Sequence, residues 1–256
     1  MALECIYESN GAVARITLNR PDRLNSFNSA LRISLLEAIE QAEADEAVRV
    51  VILTGSGRVF CAGADLSEGF PDNIEKQLVE EYKPILAAIH NGRKTWIAQV
   101  NGSAAGIGAA LAMTCDLVTM AESASIYMAF AAIALIPDGG NTWLLLENMG
   151  YHRAFETIVE GKHLSASECA AYGLANKVLP LEWLDGETSA WAQKLSHCAP
   201  LALASAKQLL RRVRHMTYEE AIDAEARVQQ DLIETADFRE GVRAFFAKEK
   251  PVFEGK

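Results

Sequence analysis

The chain has 256 residues, half of them hydrophobic and 23% charged, with a formal charge of −10 at pH 7. That length suits one large α/β domain or a domain with an appendage, and that composition excludes a disordered chain. The acidic balance disfavours nucleic acid or an anionic membrane surface as the main partner, while a small anionic ligand stays open because local dipoles and a few cations outweigh net charge at close range.

The first elements follow from local pattern. Residues 12–18 alternate, with Ala14, Ile16 and Leu18 on one face, and predict a strand paired with segment 4–8 across Ser9-Asn10-Gly11. Leu31, Leu35, Ile39 and Ala42 recur at helical spacing, with Asn28 or Ser29 as the cap. Residues 48–54 form a continuous apolar run of the kind buried on both faces of a parallel sheet. Strand, helix and strand at this length predict a right-handed crossover. The next unit has a helix over 74–90, a strand over 95–100 and a helix rich in Ala and Gly from Gly106, followed by strands over 116–120 and 124–128.

After Asn141 the pattern turns helical. Ser165 with Glu168, Thr217 with Glu220, and Asp237 with Glu240 each have capping-box spacing. Only segment 174–179 reads as a late strand. The chain divides near residue 195 into an α/β core, 1–195, and a helical tail, 196–256. The tail's Arg211, Arg212 and Arg214 read as a solvated helix face. The five cysteines, Cys5, Cys61, Cys115, Cys169 and Cys198, lack paired spacing and suit reduced thiols in a cytoplasmic protein. No signal peptide is evident at the start, and no apolar run is long enough for a membrane span.

Three turns could carry chemistry. The small residues of Cys61-Ala62-Gly63-Ala64-Asp65-Leu66 would expose successive backbone N–H groups, which suits an oxyanion or a phosphate; a plain turn is the simpler reading. Gly106-Ile107-Gly108 opens a helix, whose first N–H groups are unpaired and carry partial positive charge. Pro137-Asp138-Gly139-Gly140 places a lone acid after a long apolar stretch, although Asp after Pro is also ordinary turn and capping chemistry. No dinucleotide fingerprint, phosphate-loop lysine or nucleophile elbow is present. The histidines are scattered without metal-ligand spacing, so no metal site is expected.

Several long motifs in order resemble the crotonase, or enoyl-CoA hydratase/isomerase, superfamily. They are ITLNRPDRLNSFN at 16–28, VVILTGSGRVFCAGADL at 50–66, AQVNGSAAGIGAALAMTCDLVTMAESA at 98–124, IALIPDGGNTW at 133–143, LSASECAAYGLANKV at 164–178 and EGVRAFFAKEKPVF at 240–253. The resemblance implies an α/β spiral of ββα units with C-terminal helices that build trimers, often paired into hexamers. It implies an acyl-CoA thioester as substrate, with no separate cofactor, and a thioester oxygen held between the N–H groups of Ala64 and Ile107. Arg23, Leu24, Ala62, Asp65 and Leu66 match the positions near the adenine and phosphates, and Gly106 lies in the second donor turn. Phe245 and Lys248 match the tail positions that reach CoA, in many members from a neighbouring subunit.

The two glutamates of the family's hydratases align with Ala110 and Phe130, so both carboxylates are missing. Water addition needs one group for the water and one for the α-carbon proton, which argues against ordinary hydration. Asp138 remains, at the position of the working aspartate in several isomerases and in the aromatic acyl-CoA dehalogenases. LIPDGGNTWLL resembles the ring-epoxide isomerases of bacterial phenylacetyl-CoA breakdown, with Asn141 in place of a usual glycine and Leu146-Glu147 in place of a usual Pro-Arg. A dehalogenase adds a histidine and a tryptophan near the ring; His90 and Trp143 exist here, but not in a matching motif. The expectation is an acyl-CoA isomerase with Asp138 as proton shuttle and with Phe130, Ala110 and Trp143 as an apolar wall. The alternatives are a hydratase with a non-standard water site and an acyl-CoA-binding protein without turnover.

Overall fold

The computed structural model describes residues 3–69 and 71–256. Strands β1 (Cys5–Asn10) and β2 (Val13–Leu18) form the expected antiparallel hairpin, with Ala14, Ile16 and Leu18 buried. Helix α1 (Ser29–Ala44) is capped by Asn28, whose side-chain oxygen accepts from the Leu31 N–H at 2.8 Å. Its Leu31, Leu35, Ile39 and Ala42 are buried together. β3 (Val50–Gly55) is buried throughout and runs parallel to β2, with Val51 opposite Ala14.

Segment 74–90 is not one helix. It is α2 (Ile74–Gln77), a π-helical turn (Leu78–Tyr82) and α3 (Lys83–Asn91). Pro84 sits in the first turn of α3. A proline has no N–H to give and crowds the carbonyl four residues back, so a widened turn just before it lets the chain continue as helix.

β4 (Thr95–Val100) pairs parallel with β3, and the short β5 (Ala104–Ala105) leads into α4 (Ile107–Thr114), every residue of which is buried. β6 (Leu117–Ala121) and β7 (Ser125–Tyr127) follow, then α5 (Asn141–Val159), interrupted at Gly150. The remaining elements are β8 (His163–Ser165), α6 (Ala166–Ala171), β9 (Lys177–Leu179), α7 (Leu181–Ser196), α8 (Pro200–Val213), α9 (Tyr218–Ile233) and α10 (Ala236–Ala247). One sheet has the order β1-β2-β3-β4-β6-β9, and a smaller one the order β5-β7-β8. A minor core of Val50, Ile52, Ile97 and Ala192 lies between the large sheet and α7; the main core includes Leu53, Trp96, Ala98 and the inner faces of α1 and α4. Among the described residues, no helix is long and apolar enough to cross a membrane.

The late chain corrects three readings. β8 is a second late strand, antiparallel to β7; its three residues bury only Leu164, too short a run to show a period. The capping boxes at Ser165 and Thr217 form, but α10 is capped by Thr235. Asp237 lies inside that helix, buried, and accepts from the Glu254 and Gly255 N–H groups at 2.7 and 2.9 Å, tying down the C-terminal strand of chain. The arginines do not form one solvated face. Arg212 and Arg214 are exposed, Arg214 pairing with Glu147 at 3.2 Å and lying over the Trp143 ring, whereas Arg211 turns inward to Asp116 at 2.7 Å. Beside Arg211, Lys207 also reaches Asp116, at 2.9 Å, and it donates to the carbonyls of Ile89 and Lys94. These contacts seat α8 on the α/β core.

Candidate active site

β3 and β4 are parallel neighbours, so the turns that follow them leave the same edge of the sheet. Backbone bonds then knit the two turns together: Cys61 N–H donates to Ser103 O at 3.2 Å, and Ala105 N–H to Cys61 O at 2.8 Å. Asn25 braces the first turn from beneath. It is fully buried at φ 54, accepts from the Arg20 N–H at 2.9 Å, and donates to the carbonyls of Ser56 at 2.9 Å and Val59 at 2.7 Å.

Close approach explains the glycines of the second turn. Gly106 has φ 53 and ψ −125, a conformation that a side chain would strain. A Cβ on Gly108 would lie 2.6 Å from Cys61 O and 2.7 Å from Cys61 Sγ, so only glycine lets α4 pack this near. Burial pushes the Cys61 thiol up to about 12, which leaves it a packing group and not a nucleophile.

Two amides are left without a backbone partner among the described residues. Phe27 N–H donates to Gly63 O at 2.8 Å and Asp65 N–H to Phe27 O at 2.9 Å, which skips the N–H of Ala64 between them. Ile107 is the first residue of α4, where no intrahelical acceptor exists. Among the described residues, neither N–H meets a backbone acceptor. Both residues line one cavity of about 370 Å³, together with Ala62, Asp65, Leu66, Gly106, Phe130 and Asp138.

The Asp138 turn packs directly on the start of α4. A Cβ on Gly139 would collide with Ile107 Cδ1 and lie 3.0 Å from Ala110 Cβ. Asp138 Oδ1 is buried with no hydrogen-bond partner, and Asp138 makes no ion pair among the described residues. Burial pushes its carboxyl up to about 6, and a backbone hydrogen bond opposes that only partly. The other carboxylates lining the cavity are committed elsewhere. The Ser67 hydroxyl and Arg20 hold Asp65 down at about 2, and Glu68 receives the Ser29 N–H and pairs with Arg32. Asp138 is therefore the carboxylate here with the basicity and freedom to move a proton.

The sequence model described as Enoyl-CoA hydratase/isomerase matches residues 8–256. The chain belongs to the enoyl-CoA hydratase/isomerase family. It is 38% identical over 252 residues to a "Probable enoyl-CoA hydratase" of Rhodobacter capsulatus, covering 98% of this chain and 97% of that one. It is also 38% identical over 250 residues to the 1,2-epoxyphenylacetyl-CoA isomerase of Escherichia coli, covering 95% of each. The crystal structure of an enoyl-CoA hydratase from Bacillus anthracis superposes with a TM-score of 0.94 at 32% identity, over 99% of this chain and 100% of that one. The fold is the crotonase fold, α/β with a C-terminal helical region.

Other positions singled out by family resemblance are spread more widely. Arg23 is exposed, and the Leu24 carbonyl accepts from the Ala62 N–H at 3.0 Å, which places Leu24 against the first donor turn. Ala110 is fully buried against the Gly139 turn and does not line the cavity. Trp143 also lies outside it, edge-on to His90 at 6.0 Å in a neighbouring groove. Of the expected apolar wall only Phe130 lines the cavity; Phe27, Leu78, Tyr82, Ile133 and Leu135 are among the other apolar residues that line it. Phe245 is 78% exposed, and neither it nor Lys248 lines the cavity within one chain. Sequence reasoning missed Asn25 as a brace and Tyr82 as a wall. Asn in a turn-rich segment signals tolerance of positive φ, but nothing local shows its partners 31 and 34 residues away.

Proposed function

We propose that this enzyme is an acyl-CoA isomerase that shifts a C=C bond, or rearranges an unsaturated ring, next to the thioester. The carrying observation is the single free carboxylate of raised basicity, Asp138, sharing a cavity with two unpaired amides. The thioester oxygen binds between the N–H groups of Ala64 and Ile107. Asp138 takes a proton from the carbon next to the carbonyl or from its vinylogous position; the electron pair moves onto the thioester oxygen as an enolate, and the amides stabilise that charge. The carboxylic acid then returns the proton at the other carbon, so base and substrate charge are both restored. Losing one donor of such a hole costs about 3 kcal/mol or more in the transition state. The reaction is redox-neutral and calls for no cofactor beyond the coenzyme A of the substrate.

Two further observations support this reading. Ala110 and Phe130 offer no second acid for water, and a relative at 38% identity is a 1,2-epoxyphenylacetyl-CoA isomerase. A hydratase reading draws on the hydratase names among the relatives. Exposed Phe245 and Phe246 on α10 support self-association as a trimer or dimer of trimers through the C-terminal helices, the setting in which Phe245 and Lys248 would reach a neighbour's CoA.

A panel of 2-enoyl-, 3-enoyl- and ring-bearing acyl-CoA esters separates the readings. Positional isomerisation that is lost in Asp138→Asn supports the isomerase. Brisk hydration of crotonyl-CoA would replace it with a hydratase, and tight binding without turnover with an acyl-CoA carrier.

A further inference from the structure

The carbonyl of Gly106 and the N–H of Ile107 belong to one peptide group. Its carbonyl end accepts from the α4 amides of Ala109 at 3.0 Å and Ala110 at 3.2 Å, as a helix start does. It also accepts a bond from outside the helix, from Asn141 Nδ2 at 2.9 Å. Asn141 is fully buried, and its backbone N–H donates to the Asp138 carbonyl at 3.0 Å. The side chain's orientation is chemically fixed, because a carbonyl has no proton to offer and only the NH2 end of the carboxamide can face it.

We infer that Asn141 is a positioning residue that polarises the Gly106–Ile107 peptide and so strengthens the Ile107 N–H as an oxyanion donor. This rests on the reading of Ala64 and Ile107 as the oxyanion hole. A bond accepted at an amide's oxygen draws electron density from its nitrogen and makes the N–H more positive, and the effect is larger in a dry, low-dielectric site. The same side chain couples geometry. Asn141 bonds through its backbone to the turn of Asp138 and through its side chain to the turn of Ile107, which fixes the acid relative to the hole.

The turn itself does not need this residue. Gly139 and Gly140 already supply the positive φ angles, 61° and 86°, that lead into α5. A buried carboxamide aimed at one particular carbonyl is thus better explained by what that peptide's other end does.

The test uses a chromophoric thioester with no proton to lose, cinnamoyl-CoA, whose absorption moves to the red when its carbonyl is polarised. Asn141→Leu keeps the branched shape without the donor, and Asn141→Ala is a second variant if the bulkier leucine disturbs folding. Wild-type enzyme should red-shift the bound chromophore. Both variants should bind it within about twofold of wild type but with a smaller shift, and their kcat on an isomerisable substrate should fall about five- to tenfold, the range of one hydrogen bond. The pH midpoint of kcat/KM, which belongs to Asp138, should stay in place. A variant that is less stable yet keeps the full shift and kcat would make Asn141 merely structural and overturn the inference. No shift in the wild type would instead overturn the oxyanion-hole reading beneath it.

Discussion

Gly139 lies against Ile107 so closely that a single methyl group on the glycine would collide with the Ile107 side chain. The turn that carries the acid and the turn that offers an amide are therefore packed as one unit, set by the start of a fully buried helix. Gly139→Ala should separate them. The φ of 61° strains any side chain, while the Ile107 Cδ1 it crowds is a side-chain end that can shift, so a loss of about 1–2 kcal/mol of stability is expected. Turnover should fall well beyond what reduced folding explains, read as kcat per folded enzyme at a temperature below the melting transition.

Asp138 should cost the folded protein stability at neutral pH. Its carboxyl is raised from 3.8 to about 6 by burial, so the folded state favours the protonated form. The stabilising contribution of that proton is complete below about pH 4 and is lost as pH rises through about 6. Asp138→Asn should therefore melt higher than wild type at pH 7.5, with the advantage disappearing near pH 4. Equal melting temperatures at both pH values would mean that the carboxyl is not desolvated.

The same shift sets the rate profile. A base with a pKa of about 6 is inactive when protonated, so kcat/KM should rise tenfold per pH unit below pH 6 and level off above it. A plateau persisting down to pH 4.5 would assign the proton transfer to some other group.

Asp116 is the acid on which two inward cations converge, Lys207 at 2.9 Å and Arg211 at 2.7 Å. Asp116→Ala leaves both near the core without their counter-charge, and the expected loss is about 3–5 kcal/mol. Denaturant unfolding measures it, and the active-site chemistry of the protein that remains folded should be little changed.

Much of the fold is written in short-range pattern. The β1–β2 hairpin, the Asn28 cap and the apolar β3 each rest on residues a few positions apart, and each forms as the spacing predicts. The departures involve distant partners. Asp237 has the spacing of a cap, but its partners are Glu254 and Gly255, 17 and 18 residues on, and a chain read locally has no sign of them. The same holds at the site. Glycines and small residues mark both donor turns, whereas the bond between Cys61 and Ser103 that joins them depends on β3 and β4 being neighbours. Trp143 stands five residues from Asp138 in a motif that suggests shared duty, yet α5 turns its ring toward His90 and away from the cavity.

The central claim is that Asp138 alone carries a proton to and from the carbons beside the thioester. Wash-in of deuterium from D2O into a 3-enoyl-CoA substrate, followed by NMR, tests it most directly. The wild type should incorporate deuterium at C2 and C4, the carbons between which the proton moves, in those turnovers where the Asp138 acid exchanges with solvent before returning it, and Asp138→Asn should slow both exchange and isomerisation by about a thousandfold. Exchange and isomerisation that continue at the wild-type rate in Asp138→Asn would contradict it.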